Sequence, residues 1–249
     1  MSRELSLVQA VALGALHGPA ELLPVSSSAH VALVPRLLGW RTLPPELEKA
    51  FEVMLHAGTL GGLALIVPWP SPRFALATTL PGAVVGLTLE RPIERRLGGT
   101  RATAAGLVAG SLAMLVADRR DRGSRPAESA TTRDALALGV AQACALWPGV
   151  SRLGLTLAAA RTRGFSRDAS FALARTAGLP VVAGATLLKG VRLAQSPPPP
   201  ALRAPFAAGV AAAFASTLAA APLRRVTALA PWAAERIVLA GLAVRRSAR

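Results

Sequence analysis

The apolar residues of this chain gather into runs. Residues 51–67, 74–89, 102–117, 172–188, 207–221 and 232–244 are mostly Ala, Leu, Val and Gly. Each approaches the ~20 residues that cross a bilayer as a helix, and the pattern predicts a polytopic all-α membrane protein. Several runs fall short of that length, which calls for local thinning of the bilayer or partial burial in protein. A further apolar stretch, 5–16, follows Arg3 and has the outline of a signal peptide. It flows directly into a polar motif, and is expected to be retained. Charged connectors at 36–49, 90–101 and 118–134 separate the runs, and four prolines at 197–200 form a stiff linker. They divide helices within one membrane domain, 1–249.

Composition agrees with that reading. Of 249 residues, 52% are hydrophobic and 16% charged, and the mean hydropathy of +0.45 is too high for an ordinary soluble domain of this size. The net charge of +15 does not point to nucleic acid, because aromatics are few and the arginines sit between or at the ends of apolar runs. There they serve as topology and headgroup anchors, with membrane lipids as partners. Arginine is dense in both 90–101 and 118–134, so the charge distribution gives no orientation. Cys144 is the single cysteine, which excludes an intrachain disulfide. It is expected to be a small buried apolar residue.

Candidate chemistry lies where the first apolar stretch is interrupted. Residues 17–30 place one carboxylate, three consecutive hydroxyls and two imidazoles in lipid-like sequence. An ionisable group at membrane depth costs about 2.5 to 3.5 kcal/mol on insertion scales, so it faces a cavity or a polar partner. Pro24 cannot continue a preceding helix but suits the first turn of a new one, and serines are favoured caps. Ser26, Ser27 and Ser28 therefore mark a helix N-terminus, a ready site for an anion such as phosphate. His30 follows by about one turn, where an imidazole can stand over the same anion and exchange a proton with a serine or a leaving oxygen. Glu21, between Ala20 and Leu22, can act as a base or hold a divalent cation.

A second segment echoes the first. Gly14-Ala15-Leu16-His17 followed by Leu23-Pro24-Val25-Ser26 has a counterpart in Gly139-Val140-Ala141-Gln142 followed by Trp147-Pro148-Gly149-Val150-Ser151. About three candidate spans separate the copies, an odd number, as in inverted-topology repeats with broken, re-entrant helices. The halves would be about 1–117 and 134–244. In the second copy Gly149 allows close backbone approach to a ligand, Ser151 offers a hydroxyl, and Arg152 a planar fork suited to phosphate oxygens. Thr156 follows Arg152 by one turn, on the same face.

At these residues the chain resembles the undecaprenyl-diphosphate phosphatase family, also called the bacitracin-resistance family. Gly18, Glu21, Leu23-Pro24-Val25-Ser26-Ser27 and His30 are similar to its E-G-x-T-E-F-L-P-V-S-S-T-G-H segment, and Pro148-Gly149-Val150-Ser151-Arg152 with Gly154 and Thr156 to its P-G-x-S-R-S-G-x-T segment. Phe51-Glu52-Val53 and Gly164-Phe165-Ser166-Arg167-Asp168-Ala169 resemble two further stretches, in the same order and spacing. The resemblance implies a multi-pass enzyme of the bacterial inner membrane that removes the terminal phosphate of undecaprenyl diphosphate, returning the carrier lipid to peptidoglycan synthesis. It also implies a divalent cation, Mg²⁺ or Ca²⁺, and active-site roles for Glu21, Ser26, Ser27, His30, Ser151, Arg152 and Thr156. The expected mechanism is in-line attack by Ser27, with His30 carrying the proton, Arg152 clamping the diphosphate and Glu21 acting as base or through the cation. Attack by His30 or by water is compatible with the same residues.

The departures matter as well. His17 stands where the family has the first of two glutamates, Leu153 replaces a serine, and Arg175 lies in a normally apolar stretch. His17 with Glu21, and Glu52 with His56, have the i,i+4 spacing that puts two ligands on one helical face. Mixed His/carboxylate ligation at Glu21 and His17 shifts metal preference towards Mn²⁺ or Zn²⁺. Two other functions fit these residues: a transporter that binds a phosphorylated headgroup without hydrolysing it, and a catalytically weakened relative.

Overall fold

The computed structural model describes residues 5–120, 123–223 and 228–247. Among them are ten α-helices and one short 3₁₀ turn: α1 Leu7–Leu22, α2 Ser27–Leu37, α3 Pro45–Ile66, α4 Pro72–Leu97, α5 Thr100–Arg120, the turn Ala127–Ser129, α6 Thr132–Cys144, α7 Arg152–Thr162, α8 Arg167–Gln195, α9 Pro200–Ala219 and α10 Ala230–Ser247. The six apolar runs fall one each on α3, α4, α5, α8, α9 and α10. Thr100–Arg119, α8 and α9 are each long and apolar enough to cross a membrane. Large apolar side chains such as Leu65, Leu76, Leu87, Leu187 and Val238 are exposed on the outer faces of these helices. In water that surface would be unfavourable; against lipid it is what an all-α membrane protein presents. Cys144 is exposed at the end of α6, not buried as its size and apolar character suggest.

The charged connectors are partly helical: α3 already begins at Pro45 within 36–49, and the larger difference is at 90–101. The charged stretch 90–101 is helical as far as Leu97, because α4 runs through Pro92 and ends where the Gly98 amide donates to the Glu94 carbonyl at 3.0 Å. Glu and Arg are good helix formers, and Arg95 and Arg96 in the last turn suit the helix dipole. Charge alone did not make this stretch a loop.

Neither α1 nor α6, nor the 11-residue α2 and α7 that follow them, is long enough to span. At about 1.5 Å per residue, α1 with 16 residues and α6 with 13 cannot cross a hydrocarbon core of about 30 Å. Both open with a capping box, Ser6 with Gln9 and Thr131 with Asp134, and both stop at a break from which a second short helix leaves. Their packing is crossed: α1 lies mainly along α9, and α6 along α4. Small residues allow the close approach, since a Cβ on Gly14 would collide with the Gly209 carbonyl and one on Gly139 with that of Ala77. The helices α5 and α10 pack on each other.

A polar staple fixes the start of α6. The fully buried Asp134 carboxylate accepts from Arg125 Nη2 at 2.9 Å and Arg163 Nε at 2.7 Å, besides the Thr131 amide and hydroxyl. Arg125 also lies 4.1 Å over the Phe165 ring and donates to the Arg163 carbonyl at 2.8 Å. Burial pushes the Asp134 carboxyl up, but the hydrogen bonds from Arg125, Thr131 and Arg163 outweigh it and hold the group well below its ordinary value of 3.8. The ionised form therefore stabilises the fold fully above that value, and the contribution is lost as pH falls below it. Asp134→Asn should cost about 1.5 to 3 kcal/mol at neutral pH, the range for hydrogen bonds to a charged group. Unfolding of the detergent-solubilised protein checks this, and the gap between variant and wild type should narrow in strong acid.

Candidate active site

The two breaks face each other. The first covers residues 23–26, where Leu23 is extended and the α2 cap Ser26 has φ 77°; the second covers 145–151, where the α7 cap Ser151 has φ 69°. These are the non-glycine residues with positive φ among the described residues, and they occupy equivalent places in the two motifs. Such backbone costs about 1 to 3 kcal/mol per residue and persists only where the surroundings over-determine it. Gly149 also has positive φ, 92°, and a Cβ there would strike the Thr103 carbonyl of α5. Glycine is thus required for packing on α5, not for approach to a ligand alone.

A single side chain braces both breaks. Arg236 of α10 is fully buried. Its Nη1 donates to the Pro24 carbonyl at 3.1 Å, and its Nη2 to the carbonyls of Val150 at 2.8 Å, Gly149 at 3.0 Å and Leu107 at 3.2 Å. Broken helices leave carbonyls without helical donors, and a guanidinium with five fixed N–H groups satisfies several at once. Gly110 and Gly154 make the space, since a Cβ on either would fall on the guanidinium.

Between the breaks lies a cleft of about 510 Å³ lined by Glu21, Ser26, Ser27, Gly149, Ser151 and Arg152, with Lys49, Glu52, His56 and Lys189 towards its rim. That is within the usual range for a small-molecule site. At its base the Ser27 hydroxyl donates to Glu21 Oε2 at 2.5 Å, and Arg152 Nη2 donates to Glu21 Oε1 at 2.5 Å. One carboxylate thus links a hydroxyl from the first break to a guanidinium from the second, 131 residues apart. Arg152 Nη1 is buried and has no protein partner among the described residues. Gly178 of α8 leaves room for this guanidinium. Ser26 makes no capping bond, so the first amides of α2 are not occupied by a side chain, whereas Ser151 Oγ accepts from the Gly154 amide at 3.2 Å. An uncapped helix start beside a free guanidinium N–H forms an anion site.

Three expected residues stand behind the cleft wall. His30 donates from Nδ1 to the Ser26 carbonyl at 2.9 Å, and its Nε2 lies 2.9 Å from Glu235 Oε1 of α10. It supports the α2 turn and does not face Ser27. Thr156 is buried, with its hydroxyl donating to the Arg152 carbonyl at 2.7 Å. His17 is fully buried beside Thr59. The Glu52 carboxylate turns to Lys49 at 3.2 Å and not to His56, whose Nδ1 donates to the Glu52 carbonyl instead. Arg175 reaches the carbonyls of Leu22 and Leu223 at 3.1 and 3.2 Å, giving that unusual arginine a place at the end of α1. Glu235 and Arg236 were missed as site residues, although two charges inside the apolar run 232–244 carry the same signal that singled out Glu21.

Comparisons with known proteins show the family of the chain. The family model described as bacitracin resistance protein BacA matches residues 10–69 and 69–242. A protein of Geobacter sulfurreducens named undecaprenyl-diphosphatase is 38% identical, over 85% of this chain and 86% of its own length. A protein of the same name from Pelobacter propionicus is 35% identical over 96% of this chain and 97% of its own, and one from Geobacter metallireducens is 37% identical over 73% and 75%. With most of its length matched and both breaks inside the matched region, this chain belongs to the bacitracin resistance protein BacA family.

Proposed function

We propose that the chain is an undecaprenyl-diphosphatase, a multi-pass enzyme of the bacterial inner membrane that releases the terminal phosphate of a polyprenyl diphosphate. The observation that carries this reading is the linked trio Ser27, Glu21 and Arg152 at the base of the cleft. A binding-only protein needs the cation but has no use for a hydroxyl held by a carboxylate. The crossed packing of α1 on α9 and α6 on α4, with matching capping boxes and strained cap serines, supports two inverted halves of about 1–117 and 134–244.

The trio suggests the following course. The diphosphate enters with its phosphoryl oxygens against the open Arg152 Nη1 and the amides at the start of α2. Ser27 Oγ attacks the terminal phosphorus in line, its proton passes to Glu21 Oε2, and the bond to the bridging oxygen breaks, releasing the lipid monophosphate. Water then attacks the phosphoserine phosphorus, both of its protons staying on the released phosphate, while the Ser27 oxygen leaves and recovers the proton held by Glu21. Arg152 offsets charge on the equatorial oxygens and, through Glu21 Oε1, aims the base. His30, held between Ser26 and Glu235, keeps the strained cap in place.

Phosphate release from undecaprenyl diphosphate by purified protein tests this. Glu21→Gln should lower turnover about 10²- to 10⁴-fold, the usual contribution of a general base. Ser27→Ala should abolish the acid-stable label that wild type acquires on Ser27 from substrate labelled in its terminal phosphate. Turnover by Ser27→Ala at the wild-type rate would sink the serine mechanism, and no release by wild type under any conditions would sink the phosphatase reading.

A further inference from the structure

Beside Glu21 stand two histidines that phosphoryl transfer as described does not use. His17 and Glu21 stand one turn apart on α1, and His56 reaches them from α3. One ligand atom from each lies within 4.8 Å of the others. The two imidazole rings meet edge to face at 4.5 Å between centroids, and His56 Nε2 is 3.8 Å from Glu21 Oε2.

Each histidine has one nitrogen committed. His56 Nδ1 lies 2.8 Å from the Glu52 carbonyl, which can only accept, so Nδ1 carries a proton and a neutral ring presents the Nε2 lone pair inward. His17 Nδ1 lies 2.8 Å from the Thr59 hydroxyl. Its Nε2 is fully buried and has no partner among the described residues. Leaving such an atom unsatisfied costs about 1 to 3 kcal/mol, and an ion is one of the few things that removes the cost. Metal-binding histidines typically donate their second nitrogen to a carbonyl, carboxylate or hydroxyl-bearing neighbour, which orients the ring. Both histidines here have that support.

We infer that His17, Glu21 and His56 together bind one divalent first-row transition-metal ion, of which Zn²⁺ is the reference. Two imidazoles and one carboxylate make the three-ligand set of open zinc sites, with a fourth position free for water or a phosphate oxygen. The donor set does not suit Mg²⁺ or Ca²⁺, which favour oxygen ligands. Ligand bonds of about 2.0 to 2.1 Å need the three atoms within about 4 Å of one another, so side-chain rotation of under about 1 Å completes the site. Glu21 Oε1 can keep its contact with Arg152 while Oε2 offers one lone pair to the ion and keeps the other on the Ser27 hydroxyl. The ion would then share Glu21 with the nucleophile Ser27. Its part in the chemistry rests on the phosphatase reading, but its binding can be measured without substrate.

The test uses purified full-length protein, stripped with a chelator and titrated with Co²⁺ while its visible absorption is followed. One Co²⁺ per chain should bind with the intense bands of a low-symmetry nitrogen and oxygen site, be displaced by Zn²⁺, and be unaffected by excess Mg²⁺. His17→Gln and His56→Gln, chosen to conserve size, should each weaken binding at least about 100-fold, beyond the 10- to 100-fold usual for losing only an outer-shell partner. Thermal unfolding would establish that both variants are folded. Absence of saturable Co²⁺ binding, wild-type affinity in either folded variant, or displacement by Mg²⁺ would overturn the site. Metal binding without phosphate release would leave the site standing and remove only the phosphatase reading.

Discussion

Arg236 is a buried positive charge whose guanidinium meets no carboxylate among the described residues, and it is held there by carbonyl oxygens. Burying a charge is costly unless it is hydrogen-bonded, and a carbonyl stranded at a helix break is costly unless it finds a donor. Each problem solves the other. Because the four acceptors come from α5 and from both breaks, one guanidinium fixes the distance between the two breaks. The glycines at 110 and 154 leave the space it occupies, and α10 packs on α5 beside the strained Ser26 and Ser151 backbones.

The cleft inherits its chemistry from that arrangement. With the breaks set, Ser27 and Arg152 converge on the two oxygens of Glu21, and a carboxylate that would be prohibitive in lipid is fully engaged. The same engagement leaves groups of the site without protein partners among the described residues: Arg152 Nη1 and the uncapped start of α2 lack acceptors, and His17 Nε2 has no partner. Unpartnered donors beside a hydroxyl held by a carboxylate are what phosphoryl transfer calls for.

Much of the architecture was legible from composition. The six apolar runs became helices, the Pro-Ser and Pro-Gly-Val-Ser motifs became breaks, and Glu21, Ser26, Ser27, Gly149, Ser151 and Arg152 came together in one cleft. Local rules sufficed there because each motif carries its own helix stop and start. What stayed hidden depends on contacts across the whole chain. His30 looks like a proton carrier until Glu235, 205 residues away, is found to hold it, and Arg236 braces Pro24 from 212 residues away. The i,i+4 pairing of Glu52 with His56 was overridden because Lys49 is the nearer partner for the carboxylate, while His56 faces α1. The helical continuation through Pro92 was obscured by reading charge as a sign of a loop.

Replacing Arg236 by lysine keeps the charge but offers a compact ammonium in place of a planar fork, so it cannot reach four carbonyls on two breaks. If both breaks depend on that guanidinium, the folded Arg236→Lys protein should lose at least about 100-fold in phosphate release, as expected when reacting groups shift by an ångström, although the altered residue lines no part of the cleft. Wild-type phosphate release by folded Arg236→Lys would contradict the claim that this arginine sets the active site.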